Sequence, residues 1–206
     1  IPLWIHIEKT ARQILNLYGY QEIRTPVFEE TELFARSMGQ TSDVVQKQML
    51  TLQPAKTAEG ESAEVAPYAL RPEGTASVVR SYIQNNLDKK ESLSKLFYIG
   101  PMFRGERPQK GRLRQFHQIG LEAIGPKSAS PYLDAEVIAS AMHLLKSLGV
   151  AGAQLRINTL GTYANKEEFK NILRGKLSGN LTGLCWDCQN RFERNVLRIL
   201  DCKVPT

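Results

Sequence analysis

The sequence predicts an α+β protein, and three observations carry that expectation. The opening stretch places apolar residues at helical spacing, two central segments alternate sides as strands do, and beyond Asn158 the pattern turns to helices joined by turns. At 206 residues the chain suits one domain, or one domain and part of a second. Its 42% hydrophobic and 23% charged residues are those of a globular protein. No apolar run approaches the roughly 18 residues of a membrane span, and the start lacks the pattern of a cleaved leader, so a cytoplasmic location with no membrane partner is expected.

Trp4, Ile7, Ala11, Ile14, Leu15 and Tyr18 define the first helix, with Gly19 placed to end it. QEIRTPVFEE reads as an extended segment that Pro26 confines to an edge or bulge. A short helix from Thr31 to Met38 follows, stopped by Gly39. KQMLTL and VAPYALR read as strands flanking the polar stretch PAKTAEGESAE, a hairpin with a mobile tip. Thr75 opens a helix reaching about Leu87, and Ser130 and Pro131 open another that runs to Gly149. QLRIN reads as a further strand, and TYANKEEFKNILRGKL and CQNRFERNVLRIL as helices.

The two central strands carry the chemistry. In LFYIGPMFRGE, Phe97, Ile99 and Phe103 share one side, while Tyr98, Met102, Arg104 and Glu106 share the other. In FHQIGLEAI, His117, Ile119, Leu121 and Ala123 oppose Phe116, Gln118, Gly120 and Glu122. An aromatic ring, an amide, a glycine and a carboxylate make a poor core and a good binding floor, with Gly120 leaving room for a ligand. The joining loop is cationic: Arg104, Arg107, Lys110, Arg112 and Arg114 stand against Glu106 alone. Arginine suits phosphate because its planar fork stays charged and binds oxygens in pairs.

Each feature also has an ordinary reading. A cationic loop is commonly just solvated, and the net charge of +6 is weak evidence for a polyanionic partner. On the apolar side His117 reads as a core histidine bonded to backbone. Thr75 reads as a helix cap, with Arg71 and Glu73 as its solvated neighbours. Cys185, Cys188 and Cys202 are too few and too crowded for a disulfide framework, and CWDC with one further cysteine is half a zinc site, so free thiols and no metal are expected.

FRGERPQKGRLRQFHQIGLE resembles motif 2 of class II aminoacyl-tRNA synthetases in its histidyl-tRNA synthetase form. LRPEGT is similar to the amino-acid-binding segment of that family, GYQEIRTPVFEETELF to motif 1, and NVLRILDCK to part of the inserted helical region. The motifs are long and jointly ordered. The resemblance implies a mainly antiparallel sheet flanked by helices, with a catalytic core over 1–158 and the start of a helical insertion over 159–206. It further implies ATP, Mg2+, histidine and tRNA(His) as ligands and a homodimer with Pro26 in its interface.

Carried over, Arg104 is the catalytic clamp on the ATP α-phosphate, Glu106 holds the adenine amino group, Arg112 reaches the outer phosphates and Phe116 stacks on adenine. Glu73, Gly74, Thr75 and Gln118 belong to the binding of the histidine α-ammonium group, and Glu122 to an imidazole N–H. No stretch resembles motif 3, the histidine-specific arginine and tyrosine segments or an anticodon-binding domain. This chain alone is therefore expected to bind ATP or histidine weakly and not to charge tRNA. Val196 stands where the family's late motif has proline. A synthetase-like regulatory subunit of ATP phosphoribosyltransferase and a non-catalytic RNA-binding module are the competing readings.

Overall fold

The computed structural model describes residues 1–40, 42, 44–52, 67–107, 109–159 and 161–204. They form two compact units, Ile1–Ala153 and Gln154–Thr206.

In the first unit, helix α1 (Pro2–Leu17) begins with proline in its first turn and gives way to Gly19 at φ 78°. The extended segment after it divides into two short strands, β1 (Gln21–Glu22) and β2 (Phe28–Glu30), on either side of Pro26. Helix α2 (Thr31–Met38) stops at Gly39, and a single wide helical turn covers Val44–Gln48, so Lys47 and Gln48 are not part of a strand as expected. Strands β3 (Thr51–Leu52) and β4 (Tyr68–Leu70) pair antiparallel. The polar tip between them, 54–64, lies outside the described residues.

Helix α3 (Thr75–Gln84) ends before the expected Leu87, because Asn86 adopts a left-handed conformation. The long strands β5 (Ser94–Phe103) and β6 (Gln115–Ile124) follow, and then α4 (Pro131–Ser147). The Ser130 carbonyl accepts from the Leu133 and Asp134 amides, while its hydroxyl makes no capping bond.

Among the described residues two three-stranded sheets result. One has the order β1-β5-β6, with β1 parallel to β5 and β5 antiparallel to β6, and the other is the antiparallel β2-β4-β3. The sheets are thus antiparallel except for the two-residue β1 pairing. Arg71 joins them through its backbone: its amide donates to Val27 and its carbonyl accepts from Phe103.

The period-two pattern decides what covers each side of the hairpin. Phe97, Ile99, Ile119 and Leu121 pack with Leu15 and Tyr20, beside a cluster of Ala11, Ile14 and Leu144, so α1 and α4 cover that side. Leu96, Tyr98, Met102 and Phe116 pack with Val78 of α3 on the other. His117 departs from the expected core histidine: it is exposed, and its ring lies 4.3 Å from that of Trp4, because it sits near the loop end of the hairpin, where α1 supplies an aromatic partner and no enclosing layer.

The second unit contains α5 (Tyr163–Leu177) and α6 (Trp186–Asn195), with tight helical turns at Ser178–Gly183 and Val196–Asp201. Thr162 and Asn165 cap α5 reciprocally. The expected strand QLRIN does not form. Residues 154–158 are exposed and pair with no described strand, and an isolated strand leaves its backbone groups to water. No described helix is long and apolar enough to cross a membrane.

Candidate active site

The register of the hairpin brings its two polar faces together. Tyr98 pairs with Gly120, Gly100 with Gln118, Met102 with Phe116 and Leu96 with Glu122, so the even-numbered side chains of both strands form one floor. At its loop end, Arg104, Glu106, Arg112 and Phe116 line an open cleft of about 570 Å³ together with Gly111, Leu113 and His117. The Arg104 guanidinium lies 5.0 Å from the centre of the Phe116 ring, and its Nε donates to the Pro72 carbonyl at 2.9 Å. Arg112 Nη1 stands 3.5 Å from the Glu106 carboxylate. The loop is held from outside as well, by the Gly105 amide donating to the Gln48 carbonyl at 2.6 Å. Arg107, Lys110, Arg112 and Arg114 are exposed.

The other end of the floor is acidic. Glu73 accepts from the Thr75 amide at 2.6 Å and the Ala76 amide at 3.0 Å, so its carboxylate, not the Thr75 hydroxyl, caps α3. That frees the Thr75 hydroxyl, which donates to Glu122 at 2.7 Å. Gln118 Oε1 is buried and has no hydrogen-bond partner among the described residues. A buried acceptor without a donor is costly, and a ligand N–H relieves it. Burial pushes the Glu122 carboxyl above its ordinary range, opposed by the Thr75 hydrogen bond and reinforced by the charge of Glu73.

Tyr98 alters the reading of two glycines. Its buried ring crosses between Gly74 and Gly120, and a Cβ at either would fall inside contact distance of the ring. Gly120 therefore makes room for Tyr98 and not for a ligand. Burial, then the charge of Glu122, pushes the Tyr98 phenol up to about 12.

Arg71 is likewise no solvated neighbour. Its guanidinium is buried and donates to the carbonyls of Pro101, Thr25 and Pro26 and to the Thr25 hydroxyl. Burial lowers its pKa, and a Cβ at Gly100 would stand 2.6 Å from its Nη2. Sequence reasoning missed both roles. Tyr98 had a signal, since alternation put it on the floor opposite a glycine; Arg71 had none.

Two predictions arise here. Gly120→Ala costs about 1–3 kcal/mol by overpacking, and Tyr98→Ala costs more by cavity formation. In the double variant the clash is absent, so its loss falls short of the sum by about 1 kcal/mol or more, read from urea midpoints; strict additivity contradicts the close packing. The second concerns pH. The Glu122 pKa is raised on folding, so its stabilising contribution is full below the ordinary carboxyl range and is lost as pH rises through the raised value. Glu122→Gln is then expected to flatten that part of the stability profile and to be the more stable chain at neutral pH; an unchanged slope overturns the assignment.

The fold and site correspond to a known group of proteins. Residues 4–165 match the family model described as histidyl-tRNA synthetase. The histidine–tRNA ligase of Solibacter usitatus is 48% identical over 202 residues, covering 98% of this chain and 46% of that protein. The Moorella thermoacetica histidine–tRNA ligase is 50% identical over 202 residues, covering 98% and 45%. The apo histidyl-tRNA synthetase of S. aureus superposes with a TM-score of 0.70 at 36% identity, covering 98% of this chain and 44% of that structure. A structure described as an ATP phosphoribosyltransferase regulatory subunit/histidyl-tRNA synthetase from Bacillus halodurans shares the fold at 22% identity and a TM-score of 0.58, covering 88% and 45%. The chain therefore belongs to the histidyl-tRNA synthetase family. It spans about half the length of the curated relatives it matches.

Proposed function

We propose that this chain is the ATP- and histidine-binding part of a class II histidine–tRNA ligase. The observation that supports it is the division of one floor into a cationic cleft at Arg104 and an acidic end at Glu73, Thr75 and Glu122, joined where Arg104 bonds Pro72. Along β6, Phe116 and Glu122 stand roughly 20 Å apart, a span suited to a nucleotide and an amino acid end to end.

In this reading Glu73, Thr75 and Gln118, whose Oε1 has no partner among the described residues, hold the histidine α-ammonium, with Gly74 between them against the Tyr98 ring. Glu122 accepts from an imidazole N–H, a contact that rejects side chains unable to fill it. Arg104 grips the α-phosphate, Arg112 the outer phosphates and Glu106 the adenine amino group, and the Phe116 face turned from Arg104 is left for adenine. The histidine carboxylate attacks the α-phosphorus, forming histidyl-adenylate and releasing pyrophosphate. A terminal ribose hydroxyl of tRNA(His) then takes the histidyl group, losing its proton as AMP leaves. Arg104 stabilises the charge developing on the phosphoryl oxygens, and the chain's contribution is otherwise positioning. Exposed Arg107, Lys110 and Arg114 offer phosphate contacts to the acceptor end.

Magnesium does not find a site of its own in this cleft. Two guanidiniums and one carboxylate already beside Arg112 are the wrong donors for a cation that demands several oxygens, so the ATP phosphates would hold the ion and neutralise part of their charge with it. A homodimer with Pro26 in its interface is supported by the exposure of Val27 and Phe28 beside it, and a cytoplasmic setting completes the proposal.

ATP–pyrophosphate exchange by the full-length protein, with each amino acid in turn, tests this reading. Exchange with histidine alone is expected. No exchange with any amino acid, together with co-purification of a phosphoribosyltransferase, would replace it with the regulatory-subunit reading.

A further inference from the structure

The second unit holds a cluster that the floor does not use. Cys185 occupies the position just before α6, Cys188 lies in its first turn, and Cys202 follows the turn at Val196–Asp201. Spacing alone gives CWDC as half a site, and the fold brings the third sulfur to it. All three Sγ atoms lie within 4.8 Å of one another, and Cys185 and Cys202 are 3.8 Å apart. With Zn–S bonds of about 2.3 Å, a tetrahedral site has sulfur–sulfur edges of about 3.8 Å. One edge already has that length, and closing the others takes a movement of about 1 Å at most.

We propose that Cys185, Cys188 and Cys202 bind a structural zinc ion as three thiolates, with a water molecule in the fourth position. Cys188 is buried at the base of the cluster, while a cleft of about 340 Å³ reaches Cys185 and Cys202 and leaves solvent a way to the metal. Binding displaces three thiol protons to solvent, so the site carries one net negative charge. Arg191 and Lys203 line the same cleft, as do Asp187 and Asp201, so the charged side chains of the lining balance one another.

The unit has a need for such a tie. It is a 53-residue segment whose buried apolar residues, among those described, are Cys188, Val196 and Ile199. Segments of this size gain stability from metals or cross-links because their cores are small. The cysteines belong to that core: Leu173, Leu177, Leu184 and Phe192 pack against it. An ion there fastens the start of α6 to the residue after the final turn. This inference is independent of the tRNA-ligase reading, since none of these residues lies in the floor.

The test is metal analysis of the full chain, produced with zinc supplied and passed over a gel-filtration column in a weak chelator. About one zinc per chain is expected, falling below roughly a tenth in Cys202→Ser with its helical circular dichroism retained. Cobalt in place of zinc is expected to give the thiolate-to-metal charge-transfer band of a tetrahedral site and to quench Trp186, the neighbour of Cys185. A wild-type chain without bound zinc, giving no such band and three freely reactive thiols, overturns the proposal. So does a Cys185–Cys202 disulfide in chain isolated without oxidant.

Discussion

Replacing Arg104 by alanine in the full-length protein is expected to lower histidine-dependent ATP–pyrophosphate exchange by about 10²–10³-fold, or roughly 2.7–4 kcal/mol of transition-state stabilisation. Two anchors fix the guanidinium before any ligand arrives: Nε donates to the Pro72 carbonyl, and Cζ lies over the Phe116 ring, 5.0 Å from its centre. Preorganised charge of this kind needs no rearrangement when negative charge develops on the phosphoryl oxygens. The structural loss is much smaller, about 1 kcal/mol for a single part-buried hydrogen bond, so activity should collapse while the unfolding midpoint barely moves. Arg104→Lys should recover little, because an ammonium neither forks across two oxygens nor lies flat on a ring. Exchange by Arg104→Ala within threefold of the parent would remove Arg104 from the chemistry.

Arg71→Met is expected to act in the opposite way, through the fold. One buried guanidinium satisfies the carbonyls of Thr25, Pro26 and Pro101, drawn from the segment around Pro26 and from β5. Methionine fills similar volume and donates nothing. Each orphaned buried acceptor costs roughly 1–3 kcal/mol, and with partial relaxation the total is about 3–5 kcal/mol. Against a typical stability of about 5–15 kcal/mol that is a large share. Urea unfolding followed by the fluorescence of Trp4, whose ring lies 4.3 Å from that of His117, reads the first unit when Trp186 is replaced by phenylalanine in both chains. A shift under about 1 kcal/mol would show that water replaces the guanidinium without penalty.

The two residues mark where sequence was informative. Helix positions followed from spacing and from residues that end helices, as Gly19 and Gly39 do, and the pairing of even-numbered faces followed from strict alternation in two ten-residue strands. Arg104, Glu106, Arg112 and Phe116 were legible because a short loop keeps neighbours in sequence close in space. Arg71 was not, since its partners lie 30 to 46 residues away and nothing local distinguishes a buried arginine from a solvated one. Tyr98 stood on the correct face, but only coordinates show that its ring occupies the space that two glycines leave. QLRIN failed for a related reason: its local pattern suits a strand, and a strand exists only with a neighbour to pair with.

The parallel pairing of β1 with β5 bears on how the chain is made. Gln21 meets Leu96, and Ala11 and Ile14 of α1 pack with Leu144, so the packing of the first helix is complete only after more than a hundred further residues exist. At a synthesis rate of about 5–20 residues per second, its apolar stripe stays incompletely covered for on the order of ten seconds. During that interval α1 is a partly uncovered amphipathic helix on a nascent chain, a natural target for chaperones and a hazard for self-association. Contacts this distant in sequence also slow the search for the native sheet once synthesis ends.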